Sequence, residues 1–318
     1  MNVLVTGANG FVGRCLCRVL RESGMRVRGA VRSAIETVDS DPVVVGDIGA
    51  DTPWRSALDG IDAVVHLAAR VHVMRDTALD PQAAFDAVNL HGTTHLAQQA
   101  RAAGVKRFVF VSSAKVHGES TTARPYTEDQ APQPQDPYAI SKWAAEQALP
   151  GIAGSDMKLA ILRPPLVYGP HVRGNFLALL KAVQRGWPLP LGAIDNRRSL
   201  LYVDNLADAI LRCVTHPAAA GATFLISDRQ DLSTPELVRA LAASLEVRAR
   251  LIDLPPGILR AAATLIGRRA AVERLTGSLQ LDTSRIAASL GWSPPFSISA
   301  GLHATARWYR QAVRGAAL

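Results

Sequence analysis

An apolar run, Val3-Leu4-Val5, leads straight into Thr6-Gly7-Ala8-Asn9-Gly10-Phe11-Val12-Gly13, and an amphipathic run continues from Phe11 to Leu20. A strand, a glycine turn and a helix in that order leave few folds open. Gly7 permits a tight turn that a Cβ would hinder. Gly10 lets the backbone come close to a pyrophosphate, and Gly13 lets the helix lie against the strand. The helix start then offers free N–H groups and a positive dipole end to the anion. The spacing predicts a dinucleotide cradle, and Phe11 and Val12, in the first helical turn, belong to it.

Composition narrows the rest. A chain of 318 residues, 48% apolar, can fill one large α/β domain or a domain with a smaller lobe. No apolar stretch reaches the roughly 18 residues that a membrane helix needs. The chain enters a strand at residue 2 with no basic and then apolar leader, so no secretory signal is expected. Cys15, Cys17 and Cys213 are too few for a disulfide framework and read as reduced packing residues of a cytoplasmic protein. The net charge of +8 raises nucleic acid as a partner. The basic residues are mostly Arg, scattered among Ala and Leu without interleaved aromatics, so none is expected. A polyanionic cofactor and substrate account for the balance better. His91 and His95 stand at i, i+4 on a predicted helix. With no HExxH glutamate and no evident third ligand, no metal is expected.

Strands are predicted at 2–6, 26–31, 42–46, 62–67, 107–112 and 158–163, and helices at 11–23, 80–103 and 137–149. Gly24 and Gly104 sit where helix C-caps belong. Pro125 to Pro137 is a loop that delivers the chain to the helix beginning near Tyr138. This alternation predicts an α/β fold, a Rossmann-type doubly wound parallel sheet covered on both faces. After Arg163 the texture changes. Pro164-Pro165, Pro170, Pro188 and Pro190 break the chain into loops and one helix, about 174–185. A strand-like Leu200-Leu201-Tyr202-Val203, a helix at 204–215 and a further sheet strand at 222–226 follow, and 233–314 is mainly helical. The predicted division is a dinucleotide-binding domain of 1–165 plus about 201–227, with an interleaved, mainly helical substrate lobe of 166–200 and 228–318.

The strand Phe108-Val109-Phe110-Val111 ends in Ser112-Ser113. In a parallel α/β sheet, ligands bind beyond the carboxyl ends of the strands. Tyr138 and Lys142, four apart on a helix, share a face. A free tyrosine holds its proton to a pKa near 10. A neighbouring ammonium would favour the phenolate and fit it for proton transfer. The same lysine can hold a ribose.

With these residues in place, the chain resembles the short-chain dehydrogenase/reductase superfamily. Within it, the chain is similar to the extended branch, the NAD-dependent epimerase/dehydratase family acting on nucleotide sugars. The resemblance runs through TGANGFVG (6–13), GDI (46–48), HLAA (66–69), Val88-Asn89, VSSAKVHG (111–118), YAISK (138–142), RPPLVYGP (163–170), RRSLLYVDNLADAI (197–210) and LGWSP (290–294). It implies that Gly7, Gly10 and Gly13 hold the pyrophosphate and that Asp47 and Ile48 contact the adenine. Leu67, Ala68 and Ala69 would line the path to the nicotinamide ribose. Ser113 would hydrogen-bond the reacting oxygen, Tyr138 transfer the proton, and Lys142 bind the ribose. Asn89 would support the site, Arg198 grip the substrate diphosphate, and Asn175 contact the nucleotide sugar. A homodimer is the expected assembly.

Three departures shape the functional expectation. Ala114 and Lys115 stand where dehydratases of the family carry Asp and Glu, which argues against elimination. Lys115 is instead a candidate contact for a sugar substituent or a phosphate. Arg163-Pro164-Pro165 is followed by Leu166 where 4-epimerases place an Asn. Arg32 ends the second strand where an acidic residue would select NAD, and it suits a 2′-phosphate. NADP is therefore slightly favoured over NAD. The expectation is hydride transfer at C4 of a UDP-hexose or UDP-N-acetylhexosamine, best met by a 4-ketoreductase forming a 6-deoxy sugar nucleotide for surface polysaccharide. A UDP-hexose or UDP-HexNAc 4-epimerase is the alternative. A non-catalytic NADP-sensing protein is a third reading, which the full Ser–Tyr–Lys set opposes.

Overall fold

Short apolar strands separated by helices hide both faces only when they lie side by side between two helical layers. The computed structural model describes residues 1–34, 39–71, 79–122, 124–265 and 269–315. The strands are β1 (Asn2–Thr6), β2 (Arg26–Val31), β3 (Asp41–Val44), β4 (Ala63–His66), β5 (Arg107–Val111), β6 (Lys158–Arg163), β7 (Leu166–Tyr168), β8 (Leu200–Tyr202) and β9 (Ala222–Leu225). Seven of them form one parallel sheet in the order β3-β2-β1-β4-β5-β6-β9. The order reverses between β1 and β4, which pair with Val3 opposite Ala63 and Thr6 opposite His66. That reversal opens a crevice at the carboxyl ends of both strands.

Side chains alternate between the faces, as a strand requires. On one face Val3, Val5, Val65 and Val109 pack with Leu16 and Leu20 of α1 (Phe11–Glu22). On the other, Leu4, Val64, Phe108 and Phe110 meet the remaining layer. That layer includes α2 (Arg55–Leu58), α3 (Pro81–Asp86), α4 (Thr93–Ala102) and α5 (Pro137–Ala153). The later helices are α6 (Gly174–Gln184), α7 (Val203–Thr215), α8 (Thr234–Leu245), α9 (Pro256–Leu265), α10 (Arg269–Thr276), α11 (Ser284–Leu290) and α12 (Ile298–Gly315). Leu206 and Ile210 of α7 return to the α1 face of the sheet. Phe176 and Leu180 of α6, Val238 and Leu241 of α8, and Leu302 of α12 share a separate core. Cys17 and Cys213 are buried and Cys15 is half-buried; all three are free thiols.

Two segments differ from the sequence expectation. Residues 80–103 are not one regular helix: a π-helical turn, Ala87–Gly92, separates α3 from α4. It carries Asn89 inward, where side-chain hydrogen bonds outweigh α-helical regularity. Residues 166–168, expected in a loop, form β7, which pairs in parallel with β8 in a small second sheet, Leu166 opposite Leu200 and Tyr168 opposite Tyr202. Three residues are too few for a periodic signal. They are fixed by a distant carboxylate: Asp228 accepts from the Tyr168 hydroxyl at 2.9 Å and from the Tyr202 N–H at 2.9 Å.

A buried ion pair ties α5 to β6. Arg163 Nε donates to both Glu146 oxygens at 3.1 Å, and only 2% of the Glu146 side chain and 5% of the Arg163 side chain are exposed. Removing one partner leaves the other charge buried and uncompensated. Glu146→Ala should therefore cost about 3–5 kcal/mol in urea unfolding. A loss below about 1 kcal/mol, the level of an exposed pair, would show that water reaches the Arg163 guanidinium.

Candidate active site

The cradle forms where β1 meets α1. Gly7 has φ +66°, and a Cβ on Gly13 would stand 2.1 Å from the Gly7 carbonyl oxygen. No side chain fits there, so α1 starts directly against the strand. Gly10 is the N-cap, in extended conformation, with no side chain capping the helix and no acidic residue in its first turn. The N–H groups of Phe11, Val12 and Gly13 have no intrahelical acceptor. This bare, positively polarised end fits a pyrophosphate.

A buried hydrogen-bonded chain sets the neighbouring strand end. The Leu67 and Ala68 N–H groups donate to Thr6 Oγ1, both at 3.1 Å. The Thr6 hydroxyl lies 2.7 Å from His66 Nδ1, and His66 Nε2 lies 2.9 Å from Thr93 Oγ1. Thr6 thus donates to Nδ1, which places the ring proton on Nε2. Burial, and then the nearby Lys142, push the His66 pKa down to about 3, so the ring stays neutral. Beyond it, Asn89 accepts from the Arg70 N–H at 2.8 Å and donates to the Arg70 carbonyl at 3.0 Å and to Ser141 Oγ at 3.0 Å. Asn89 thereby joins the β4 loop, carrying Leu67, Ala68 and Ala69, to α5.

Ser113 and Tyr138 meet, and Lys142 lies one helical turn beyond Tyr138 on α5. Ser113 is buried at the end of β5 and hydrogen-bonds Tyr138. Tyr138 is half-buried, with its ring edge against Phe85. Lys142 is 1% exposed, its ammonium 4.1 Å from the centroid of the Phe110 ring. The electrostatics differ from the expectation. Burial, and then the Asp136 carboxylate, push the Tyr138 pKa up to about 12, while Ser113 pulls it down. Burial pushes Lys142 down to about 7, opposed by Glu146. Desolvation weakens the lysine charge that was expected to favour the phenolate.

Several charged side chains surround this centre. Lys115 meets Asp136 and, at 2.8 Å, Glu119. Its ammonium lies between the two carboxylates, with 18% of the side chain exposed. Arg198 donates to the Gly277 carbonyl at 2.8 Å, and its backbone bridges to Leu232. Burial lowers its pKa, and the Glu119 charge opposes that shift. Arg163 Nη1 donates to His117 Nε2 at 2.8 Å, and burial pushes that histidine down to about 4. Arg32 and Asp47 pair at 2.7 Å at the ends of β2 and β3, both largely exposed. Ile48 is half-buried beside them, and Asn175 lies exposed at the start of α6. His95 Nε2 sits 3.1 Å from the Thr52 carbonyl, and His91 is exposed.

A model of the NAD dependent epimerase/dehydratase family matches residues 3–227. The chain belongs to that family. A Vibrio cholerae protein named UDP-glucose 4-epimerase is 42% identical over 315 residues, covering 98% of this chain and 96% of its own. A Pseudomonas aeruginosa protein named GDP-6-deoxy-D-mannose reductase is 29% identical over 327 residues, 98% of each chain. Among solved structures, MoeE5 in complex with UDP-glucose and NAD superposes with a TM-score of 0.76 at 26% identity, covering 98% of this chain and 100% of that one. The chain is thus an enzyme of the NAD-dependent, nucleotide-sugar branch of the short-chain dehydrogenase/reductase superfamily.

Sequence reasoning about this family member passed over Asp136 and Glu119. Asp136 precedes Pro137, a readable helix-start signal, and its Oδ1 accepts the Ala139 N–H at 2.7 Å. Glu119 stands four residues after Lys115, an opposite-charge spacing readable in the sequence, and the turn brings the two within 2.8 Å.

Tyr138→Phe should lower turnover at least about 100-fold while changing dinucleotide affinity far less. Steady-state kinetics and a cofactor titration decide it, and near-normal turnover would remove Tyr138 from the chemistry. Lys142 gives a pH prediction. Its pKa falls from an ordinary 10.5 to about 7 on folding, so between those values the unfolded chain binds the extra proton. The contribution of Lys142 to stability must therefore rise with pH across that window. In cofactor-free protein, Lys142→Met should raise the melting temperature by a few degrees at pH 7, and the gain should shrink towards pH 10. A gain independent of pH would assign the effect to packing alone.

Proposed function

We propose that this enzyme is a 4-epimerase of a UDP-linked hexose or N-acetylhexosamine, working on NAD that it retains through the catalytic cycle. The observation that carries the reading is the 42% identity, along 98% of the chain, to the Vibrio cholerae UDP-glucose 4-epimerase. This reverses the order expected from sequence, where the 4-ketoreductase stood first. That order leaned on Arg32 and on Leu166. Arg32 has Asp47 beside it, which offsets part of the charge a 2′-phosphate would meet. An exposed pair of this kind is worth only about 0–1 kcal/mol, so it supports NAD modestly and leaves NADP open to a binding test. Leu166 opens β7 and is 45% exposed, so a side chain there lies on a surface. The Pseudomonas aeruginosa reductase, at 29% identity, keeps the ketoreductase as the second reading.

The residues fit the chemistry. When bound, the dinucleotide supplies the hydride acceptor and donor. Tyr138 would take the proton of the sugar 4-hydroxyl and later return it, and Ser113 would hold that oxygen in line. Lys142 would hold the ribose, with the Leu67–Ala69 backbone beside it. Arg198 would meet the substrate diphosphate, with Asn175 towards the nucleotide sugar. Sugar nucleotides and free thiols both suit the cytoplasm, and a homodimer is the assembly we expect.

The deciding experiment uses the protein as purified. Its cofactor is extracted and identified, and UDP-glucose and UDP-N-acetylglucosamine are then supplied with no added dinucleotide. Bound NAD and interconversion with the 4-epimer, followed by proton NMR, are expected. Protein that arrives empty and oxidises NADPH only with a 4-keto sugar would overturn the epimerase in favour of the reductase.

A further inference from the structure

Two opposite charges join the segments that carry Ser113 and Tyr138. Lys115 lies in the short 3-10 turn Ala114–His117, and its N–H donates to Ser113 Oγ at 3.2 Å. Its ammonium meets Asp136 Oδ2, and it reaches Glu119 at 2.8 Å. The other oxygen of Asp136 caps α5, in which Tyr138 is the second residue. Lys115 thus holds the serine turn through its backbone and the start of the tyrosine helix through its side chain.

We infer that Lys115 and Asp136 form a charge-balanced clamp that positions Ser113 against Tyr138 and sets how readily Tyr138 gives up its proton. The inference rests on the reading of Tyr138 as the proton carrier. Lys115 is then a positioning residue, not a ligand for the sugar, because two carboxylates already hold its ammonium.

The surroundings of Tyr138 leave room for such an effect. From α5 it is faced by Asp136 and Lys142, with Glu146 one turn further on. From the β5 end it is faced by Ser113, with Lys115 and Glu119 behind. From α3 it meets uncharged Phe85, over which Arg70 lies at 5.3 Å. From β4, neutral His66 stands near Lys142. Asp136 raises the phenol and Lys142 is itself weakened by burial. The cation nearest to Asp136 is therefore well placed to limit that rise. The positive end of the α5 dipole acts in the same direction.

The test follows Tyr138 directly. NAD-loaded protein labelled with carbon-13 at tyrosine Cζ is titrated by NMR between pH 8 and 13, and the Tyr138 signal is assigned from its loss in Tyr138→Phe. Asp136→Asn keeps a good N-cap and should lower the midpoint by about 0.5–1 pH unit. Lys115→Met should raise it by a similar amount, and Lys115→Arg should leave it in place. The double variant Lys115→Met/Asp136→Asn should return close to wild type, because the pair carries no net charge. The acid limb of kcat/KM for the nucleotide sugar should move in the same directions. Midpoints unchanged in both single variants, or displaced in the same direction, would overturn the clamp. A change in sugar selectivity in Lys115→Met with no change of midpoint would overturn it too, and would make Lys115 a substrate ligand. The NMR titration uses no sugar, so it tests the clamp even if the epimerase reading fails.

Discussion

The Gly7 carbonyl oxygen and the site of a missing Cβ on residue 13 are 2.1 Å apart, and much of the architecture follows from that approach. It draws the start of α1 onto the end of β1, so the helix can begin only there. With α1 fixed on one face, Leu16 and Leu20 pack over Val3 and Val5. The return of the chain to β4 on the other side of β1 then opens the crevice. Of the groups proposed for the cofactor, Gly7 and Leu67 to Ala69 follow the ends of β1 and β4 that border this opening. A methyl group at residue 13 would disturb the sheet, the helix and the binding site together.

Burial dominates the electrostatics of the site. Desolvation is the largest shift for His66, His117, Tyr138 and Lys142, and in each case it favours the neutral form. Several charges that persist are held by opposite charges, Arg163 by Glu146 and Lys115 by Asp136 and Glu119, whereas Arg198 donates to a backbone carbonyl. At the start of α1, which has no side-chain cap and no acidic residue in its first turn, an anion would be held by backbone N–H groups, which do not titrate. Burial also makes a proton transfer sensitive to small changes in which carboxylate a lysine neutralises.

Much of this was legible in the sequence because it is local. Strand 158–163 and the first helix follow from apolar periodicity and from glycines that cap or turn the chain. Ser113, Tyr138 and Lys142 follow from a strand end and a helical spacing of four. The parts that were not legible depend on residues far apart in the chain. β7 is three residues long and is held by Asp228, sixty residues beyond Tyr168. The direction taken by the Lys115 side chain depends on Asp136, twenty-one residues later. The Tyr138 proton affinity depends first on its own burial and then on the Asp136 charge, which composition cannot reveal.

The π-helical turn at Ala87–Gly92 holds one residue more than an α-helical track would use. Deleting one residue there would let the α-helical track close with α3 and α4 still in register, because the turn itself takes up the extra residue, but the bulge that presents Asn89 would be lost. Asn89 would then swing away from Ser141 and Arg70, and the β4 loop would lose its tie to α5. An insertion would do comparable damage. Surface loops elsewhere can change length over evolutionary time at little cost, but this helix behaves as a counted interval: relatives that keep the same site are expected to keep its residue number even where they change its letters.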